Sequence, residues 1–512
     1  MTVQIAANAT TGKLMNASRD AKLVVQQILS YTVDGAEHSG AFKSGNWDGK
    51  SSFFNWDNST FPRGFLSLVA SGLIKSGIKV HVARQPLPEP LGPTNPKVDD
   101  FPEDSRYDYQ PEVVEKLLKH GQIIARVATG GGKSRIAKLC VARIARPTLF
   151  LTTRGILMHQ MGESFKDLGR KVGVIGDGEF TPKQGVNVGM VQTIISKLRG
   201  PEDGDDDAAS ARKLADKQRM IKVLEFFEFV ILEEAHEVSG DSFFEILKHC
   251  KNAHYRLALT ATPFMKDSQE ANMRLQACSG PVAITISEEM LINRGILAKP
   301  YFKYIKLKEH PKALYRSTPW QRAVKVGIVE NDLRNKHIAV EAIRASRYGL
   351  STMILVQRQD HGVIINDMLV KAGLRSMYIF GDNDQDERKT ALRKLKNGDI
   401  DVLIGSTILD VGVDVPAVGL VILAGGGKAE VALRQRIGRG LREKKGSLAW
   451  HPGVKAPNVC FIVDFSDDFN NHLKDHAQQR RHIVKTTKGF GENIVTDFDY
   501  AGLGFRKTPA TA

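Results

Sequence analysis

The stretch QIIARVATGGGKSRIAKLC, residues 122–140, decides the reading of this chain. It opens with an apolar, β-branched run, passes through three consecutive glycines, and continues with helical spacing of Ile136, Leu139 and Cys140. An apolar strand, a glycine turn and a helix in that order place backbone N–H groups and a helix N-terminus around one point, which suits a phosphate. In Ala128-Thr129-Gly130-Gly131-Gly132-Lys133-Ser134, Lys133 would reach terminal phosphates and Ser134 would ligate Mg²⁺. The strict phosphate-loop pattern has a further glycine five positions before Gly132, where this chain has Val127.

Outward from this point the same rhythm repeats. TLFLTT, VGVIG, VNVGMV, FVILEE and RLALTA alternate with amphipathic helical stretches, and after about residue 298 the pattern restarts with TMILVQ, SMYIF, DVLIGST, GLVILAG and NVCFIVDF. Strand–helix alternation predicts parallel sheets with covered faces, here in two tandem α/β domains. Residues 1–95 read as a small α+β module, with a helix over 18–30, a strand at Ser51–Trp56, and a turn at Asp57-Asn58-Ser59. A helix follows, burying Leu66, Val69, Leu73 and Ile74 and ending at Gly77; then comes a strand turning Ile78, Val80 and Val82 inward. Phe53, Phe54 and Trp56 read as core of this module. Residues 86–104, with five prolines before Phe101, cannot continue a helix or central strand. The boundaries drawn are 1–95 for the module, 96–104 for the linker, 105–297 and 298–466 for the two α/β domains, and 467–512 for a helix and tail. Residues 199–213, polar and acidic, read as a mobile insertion.

The chain of 512 residues, 42% hydrophobic and 25% charged, has the composition of a folded multidomain protein. No run of eighteen uncharged apolar residues predicts a membrane helix, and the N-terminus lacks a basic-then-apolar leader. Four dispersed cysteines form no CxxC pair, so neither a disulfide framework nor a zinc site is expected, and a reducing cytoplasm fits. The net charge of +15 favours a polyanionic partner. Residues 301–350 carry eleven basic and four acidic side chains, whereas 201–250 carry six and thirteen.

Two further motifs carry chemistry. FVILEEAHE brings Glu233 and Glu234 to a strand's carboxyl end, where α/β ligands bind. One carboxylate would hold a metal, usually through water, and the other would accept a proton from attacking water. In QRIGRGLR, helical spacing puts Gln435, Arg439 and Arg442 on one face, where arginines can neutralise charge on a transferred phosphate.

Taken in order, Gln110 in RYDYQ, ATGGGKS, TLFLTTR, VGMVQT, EEAH, Thr260-Ala261-Thr262, TMILVQ, GSTILDVGVDVP and QRIGRGLR resemble the motif series of the superfamily 2 helicases and translocases, over about residues 105–445. GNWDGKSSFF…FPRGFLSLVASGLIKSGIKVHVAR also resembles the small domain that precedes the motor in bacteriophage UvsW-type helicases. The resemblance implies two RecA-like doubly wound domains with ATP and Mg²⁺ between them. Gln110 would read the adenine edge, with Tyr107 or Tyr109 packing on the ring. Thr129, Gly130, Gly131, Gly132, Lys133 and Ser134 would hold phosphate and metal, with Glu233 on the metal and Glu234 as general base. His236, Thr260 and Thr262 would couple nucleotide to nucleic acid. Gly412, Asp414 and Gln435 would complete the nucleotide contacts, and Arg439 and Arg442 would be arginine fingers. Thr153, Arg154, Gln192, Thr193, Gln357, Arg358, Ser406 and Thr407 would hold nucleic-acid backbone without reading sequence. The basic block at 301–350 would add longer-range attraction. The implied substrate is DNA, single-stranded, duplex or branched (forks, Holliday junctions, R-loops with their RNA), in replication, recombination or repair. An RNA helicase, a duplex translocase that unwinds nothing, and a binding scaffold with weakened ATPase are the alternatives. The family usually has Asp where this chain has Glu233, so an altered metal preference is expected.

Overall fold

The computed structural model describes residues 2–99, 104–202, 204–235, 240–264, 268–380, 385–405, 418–427, 430–444 and 457–507; of residues 240, 241, 385, 430–432, 435 and 439 it describes the backbone alone. The chain forms two compact units, one of Met1–Ala128 with Gly132–Ile286, the other of Ser287–Ala512 with Thr129–Gly131.

The first unit begins with β1 (Thr2–Ala7), β2 (Thr11–Met15), α1 (Arg19–Ile28), β3 (Ser30–Thr32), α2 (Gly40–Lys43), β4 (Lys50–Ser52), β5 (Thr60–Pro62), α3 (Leu66–Lys75) and β6 (Lys79–Arg84). The order β5-β2-β1-β6 makes one sheet, with β1 and β6 parallel. The β1–β2 hairpin has the period-2 burial of a half-covered sheet (Val3, Ile5 and Ala7 inward) and is an addition to the elements predicted from sequence. Leu66, Val69 and Leu73 are buried as predicted, but Ile74 is 60% exposed. It sits next to the helix end, so one step of 100° turns it off the covered face. The strand predicted at 51–56 is β4, confined to Lys50–Ser52. Phe54 is core and Phe53 packs on Phe65 and Phe244, while Trp56 is exposed with Lys22 over its ring.

The prolines from 86 onward do not form a free tether. Leu91 and Gly92 donate backbone N–H groups to Ile144 and Arg143 carbonyls, and Tyr255 donates its hydroxyl to the Pro88 carbonyl. A Cβ on Gly92 would lie 1.9 Å from the Ala142 carbonyl oxygen, so the chain there touches the domain it leads into.

That domain runs α4 (Tyr109–His120), β7 (Gln122–Val127), α5 (Lys133–Ile144), β8 (Thr148–Thr152), α6 (Gly155–Lys166), β9 (Val172–Gly176), β10 (Glu179–Phe180), β11 (Val186–Met190), α7 (Val191–Leu198), α8 (Asp207–Glu225), β12 (Phe229–Glu233), α9 (Gly240–His249), β13 (Tyr255–Thr260), α10 (Gln269–Ser279) and β14 (Val282–Ile286). The sheet order is β10-β9-β11-β8-β12-β13-β7-β14, parallel except for β10. Its central strands are buried along their whole length, which explains their unbroken apolar runs. The insertion at 199–213 is more ordered than predicted. Asp206 caps α8 by accepting from the Ala209 N–H, and Lys213 reaches back to Asp205 at 2.7 Å. The acidic run therefore sits at the positive end of a nineteen-residue helix.

The second unit contains α11 (Glu288–Asn293), β15 (Lys299–Ile305), α12 (Trp320–Val324), α13 (Asp332–Ser346), β16 (Thr352–Leu355), α14 (Gln359–Lys371), β17 (Ser376–Ile379), α15 (Gln385–Asn397), β18 (Val402–Gly405), β19 (Leu420–Leu423), α16 (Glu430–Gly440), β20 (Val459–Phe465), α17 (Asn471–Thr486) and β21 (Ile494–Val495). Its seven strands are ordered β17-β18-β16-β19-β20-β15-β21. The segment after β20 returns to this sheet: Phe498, Tyr500 and Phe505 pack on Phe461. Among the described residues, no helix is long and apolar enough to cross a membrane.

The C-terminal segment also corrects the reading of the basic block at 301–350. Lys303 pairs with Glu341 and Asp497, Lys306 with Asp468, Arg334 with Asp467 and Arg344 with Asp497. Arg334 is fully buried, with its Nη1 on the Ala424 carbonyl and its guanidinium over Phe465. Much of the local charge is neutralised by acids 130 or more residues downstream, and its field is weaker than the residue count implies.

Candidate functional site

The glycine turn follows directly from strand geometry. Buried β7, hydrogen-bonded between β13 and β14, ends at Val127, and α5 starts six residues later. Gly130 and Gly132 have φ of +88° and +81°, a left-handed backbone that only glycine adopts cheaply. Gly132 is the residue before the first turn of α5, leaving the N–H groups of that turn directed out of the helix. A Cβ on Gly132 would lie 2.4 Å from the Gln110 side-chain nitrogen, so Gln110 roofs the turn. Arg135, in the first turn of α5, donates to the Gln110 side-chain oxygen. Gln110 is thus buried and already engaged, and Tyr109 beside it is core; Tyr107 is the half-buried ring, with Arg106 over it. Arg135 is a residue the sequence reading missed, although its place one turn into the helix that opens on the glycines was the available signal.

Strand β12 delivers the two glutamates. Glu233 is its last residue and is buried, while Glu234 leaves the strand with φ of +47°, a left-handed conformation that is costly for a side chain with a Cβ. That turn points Glu234 towards α5: its Oε1 accepts from Lys133 Nζ at 2.7 Å, with the two side chains 13% and 12% exposed. Two charges separated by 101 residues in sequence therefore meet at the carboxyl edge of the parallel sheet. On the neighbouring strand, Thr260 is fully buried and its hydroxyl accepts from the Thr262 N–H at 3.2 Å. The Thr262 hydroxyl is buried and has no hydrogen-bond partner among the described residues. Ser134 is exposed on the first turn of α5, and His236 lies outside the described residues. A left-handed glycine cradle too tight for a Cβ, a helix N-terminus, a lysine, two glutamates and an unsatisfied hydroxyl fit a magnesium–nucleotide: Ser134 and Glu233 would hold the ion, which would neutralise phosphate charge.

The residues expected along a nucleic-acid path fall at other strand ends of their respective sheets. Thr153 and Arg154 follow β8, and Gln192 and Thr193 open α7 after the adjacent β11. Gln192 donates to the Thr153 carbonyl at 3.2 Å, which brings these two motifs together. In the second unit, Gln357 and the exposed Arg358 follow β16. Gln357 donates to the Gly426 carbonyl at 3.3 Å, and a Cβ on Gly427 would come within 2.5 Å of its amide nitrogen. Ser406, Thr407, Gly412 and Asp414 lie outside the described residues, as do the side chains of Gln435 and Arg439.

One prediction needs correcting. Arg442 does not share a helical face with residues 435 and 439, because α16 ends at Gly440 and Arg442 forms an isolated β-bridge with Leu297. The helix stops where it meets the sheet: a Cβ on Gly440 would sit 2.6 Å from Val421 and 2.9 Å from Cys460. Burial lowers the Arg442 pKa from its ordinary value. On the helix itself, Arg436 is buried and Arg434 pairs with Glu288 at 3.0 Å.

Two families match the chain: the res subunit of type III restriction enzymes over residues 104–265, and the helicase conserved C-terminal domain over 335–444. The DNA 3′-5′ translocase XPB2 of Sulfurisphaera tokodaii is 26% identical over 370 residues, 66% of this chain and 78% of that protein. The alignments span between 21% and 78% of curated relatives such as these. Among solved structures, the DUF1998 helicase MrfA bound to DNA covers 78% of this chain and 53% of its own, at 14% identity and a TM-score of 0.53. T4 UvsW covers 97% of this chain and 99% of its own, at 17% identity and a TM-score of 0.46. The architecture is thus two tandem RecA-like domains behind a small N-terminal α+β module.

Proposed function

The chain belongs to the superfamily 2 helicases and translocases and is a nucleic-acid-dependent ATPase, and from that premise we propose that it is a motor acting on branched DNA. The observation that carries the ATP half is the Lys133–Glu234 pair over the glycine turn. In this reading Lys133 and the N–H groups of the turn hold the terminal phosphates. Glu234 then leaves Lys133 and accepts a proton from the attacking water, while Glu233 and Ser134 hold Mg²⁺. Arg439 and Arg442 neutralise charge developing on the transferred phosphate. Thr153, Arg154, Gln192, Thr193, Gln357, Arg358, Ser406 and Thr407 grip backbone phosphates, so sequence preference is low and affinity falls with salt. Gln110, Gly412, Asp414 and Gln435 contact the nucleotide, and His236 and Thr262 transmit its state.

Three features favour DNA, and branched DNA in particular. The Sulfurisphaera relative is by name a DNA translocase, which also favours 3′→5′ movement. The N-terminal segment GNWDGKSSFF…FPRGFLSLVASGLIKSGIKVHVAR resembles the small domain that precedes the motor in UvsW-type helicases. The N-terminal module is seated on the motor rather than tethered, since a Cβ on Gly64 would lie 2.0 Å from the Gln276 carbonyl oxygen. A module fixed in that way can hold a duplex arm while the motor moves, in replication, recombination or repair within the cytoplasm of a bacterial host.

The test is ATP hydrolysis by wild type and Glu234→Gln with no nucleic acid, single-stranded DNA, duplex DNA, a four-way junction and RNA, together with strand displacement. Stimulation greatest on junctions, with displacement, supports the proposal. Stimulation by RNA alone supports the RNA helicase, hydrolysis without displacement the duplex translocase, and DNA binding without hydrolysis the scaffold.

A further inference from the structure

Where the N-terminal module meets the first parallel sheet, a cavity opens that the ATPase chemistry does not use. Arg63, Arg84 at the end of β6, His120 closing α4, Gln122 opening β7 and Gly280 after α10 contribute to its wall. Its volume is about 30 Å³, enough for one or two waters or the oxygens of a small tetrahedral anion. Among the described residues, the wall holds two arginines and a histidine and no carboxylate.

Among the described residues, neither Arg63 nor Arg256 has an acid as partner. Arg63 is 5% exposed; it donates to the Asn8 carbonyl at 2.6 Å and makes no ion pair among the described residues. Burial, then Arg84, then Arg256 push its pKa down to about 10. Arg256 is itself buried and is held by the carbonyls of Leu247, Cys250, Ala253 and Cys278, with no acid among them. His120 is lowered by burial, and then by Lys119, Arg84 and Lys116. Gln122, 4% exposed, gives its amide N–H to the Ala9 carbonyl at 2.6 Å, and its side-chain oxygen has no donor among the described residues. A buried charge without a counter-ion, as at Arg63, destabilises the fold unless an anion completes the arrangement. Backbone packs closely beside the cavity at Gly64 and Gly280, where a Cβ would lie 2.0 and 2.4 Å from backbone carbonyl oxygens.

We propose that this cavity is a binding site for a phosphate-type oxyanion, with Arg63 and Arg84 as its charged donors and the Gln122 oxygen accepting from a ligand hydroxyl or a bridging water. The phosphate has two possible sources: a phosphodiester of bound nucleic acid, which rests on the reading of the module as a nucleic-acid clamp, or free inorganic phosphate. A guanidinium offers paired N–H donors to either.

The test uses the full chain and Arg84→Gln, with Arg84→Lys as a charge-preserving control and His120→Gln as a second variant. Arg84 is exposed and lies outside the ATPase machinery, so hydrolysis without DNA should not change. Two probes are read: duplex and junction DNA binding across a salt series, and the rise in Tm given by inorganic phosphate against chloride at equal ionic strength. If the ligand is a backbone phosphate, Arg84→Gln lowers the salt slope by about 0.9 and weakens DNA binding about fivefold near 0.15 M salt, whatever the sequence. If it is free phosphate, wild type gains Tm from phosphate, Arg84→Gln does not, and the DNA slope stays constant. Either result supports the site. Arg84→Gln and His120→Gln matching wild type with both probes overturns it. Wild type that is stabilised by phosphate but binds no DNA sinks the DNA-motor reading and leaves the site standing.

Discussion

Glu234→Gln should slow turnover and tighten nucleotide binding at the same time. The Lys133–Glu234 contact is a 2.7 Å charge-assisted hydrogen bond between side chains each more than four-fifths buried. A nucleotide's terminal phosphate must take Lys133 away from Glu234, so the protein loses this bond on binding. Hydrogen bonds to charged groups contribute about 1.5–3 kcal/mol, and neutral ones about half that. Glutamine keeps an acceptor and removes the charge, so the competition weakens by roughly 1–1.5 kcal/mol, a five- to tenfold lower Kd. Removing repulsion between Glu234 and the phosphate acts in the same direction. Turnover should fall by about 10²–10⁴, the usual contribution of a positioned general base. Equilibrium binding of a fluorescent, non-hydrolysable ATP analogue gives the first quantity and single-turnover hydrolysis the second. An unchanged or weaker Kd, with turnover reduced, would refute the claim that Glu234 competes for Lys133. An unchanged turnover would refute its role as base.

Gly132→Ala should abolish nucleotide binding, because its Cβ would meet Gln110 at 2.4 Å with φ at +81°; the same binding assay checks it, and a Kd within threefold of wild type would count against a rigid cradle. Glu233→Asp should raise turnover in Mg²⁺ relative to Mn²⁺, since the shorter side chain moves the carboxylate back by roughly 1–1.5 Å towards a better octahedron; equal ratios in the two metals would dismiss the idea. Arg334→Met should cost about 3–5 kcal/mol by leaving buried Asp467 with only the longer 3.9 Å contact to Arg480, whereas Arg334→Met with Asp467→Leu should recover much of it; urea unfolding of the two variants separates them. His361 is held near a pKa of about 3 by burial and then by Arg334, below its unfolded value, so it stabilises the fold above pH 6.5 and that stability is lost as pH falls towards 3. The loss should be about 2 kcal/mol between pH 7 and pH 5 and should shrink in His361→Gln, as read by unfolding at the two pH values.

Legibility differed from one residue to the next. Gly130, Gly132, Lys133, Glu233 and Glu234 could be identified because their signals are local: apolar runs end, glycines follow, and acids occupy the last positions of a strand. Ile74 was misassigned because a helix end rotates a side chain off its face within one residue. Arg442 was misassigned because helical spacing does not show that Val421 and Cys460 halt the helix at Gly440. Part of the charge of the basic block at 301–350 is offset by Asp467, Asp468 and Asp497, which lie far along the chain and so do not show in a local count.

By itself, then, the sequence determined the alternation of strands and helices, the two parallel sheets, the glycine turn between strand and helix, and the family. Each of these depends on periodicity or on chemistry within a dozen residues, and the chain carries that information in place. The tertiary structure decided which strand neighbours which, that Glu234 turns with φ of +47° onto Lys133, and that cations of the N-terminal module face a cavity with no acid in its wall among the described residues. Those outcomes depend on contacts between residues well separated along the chain. They are fixed by how chain crossings and close-packed side chains share space, which no local spacing records.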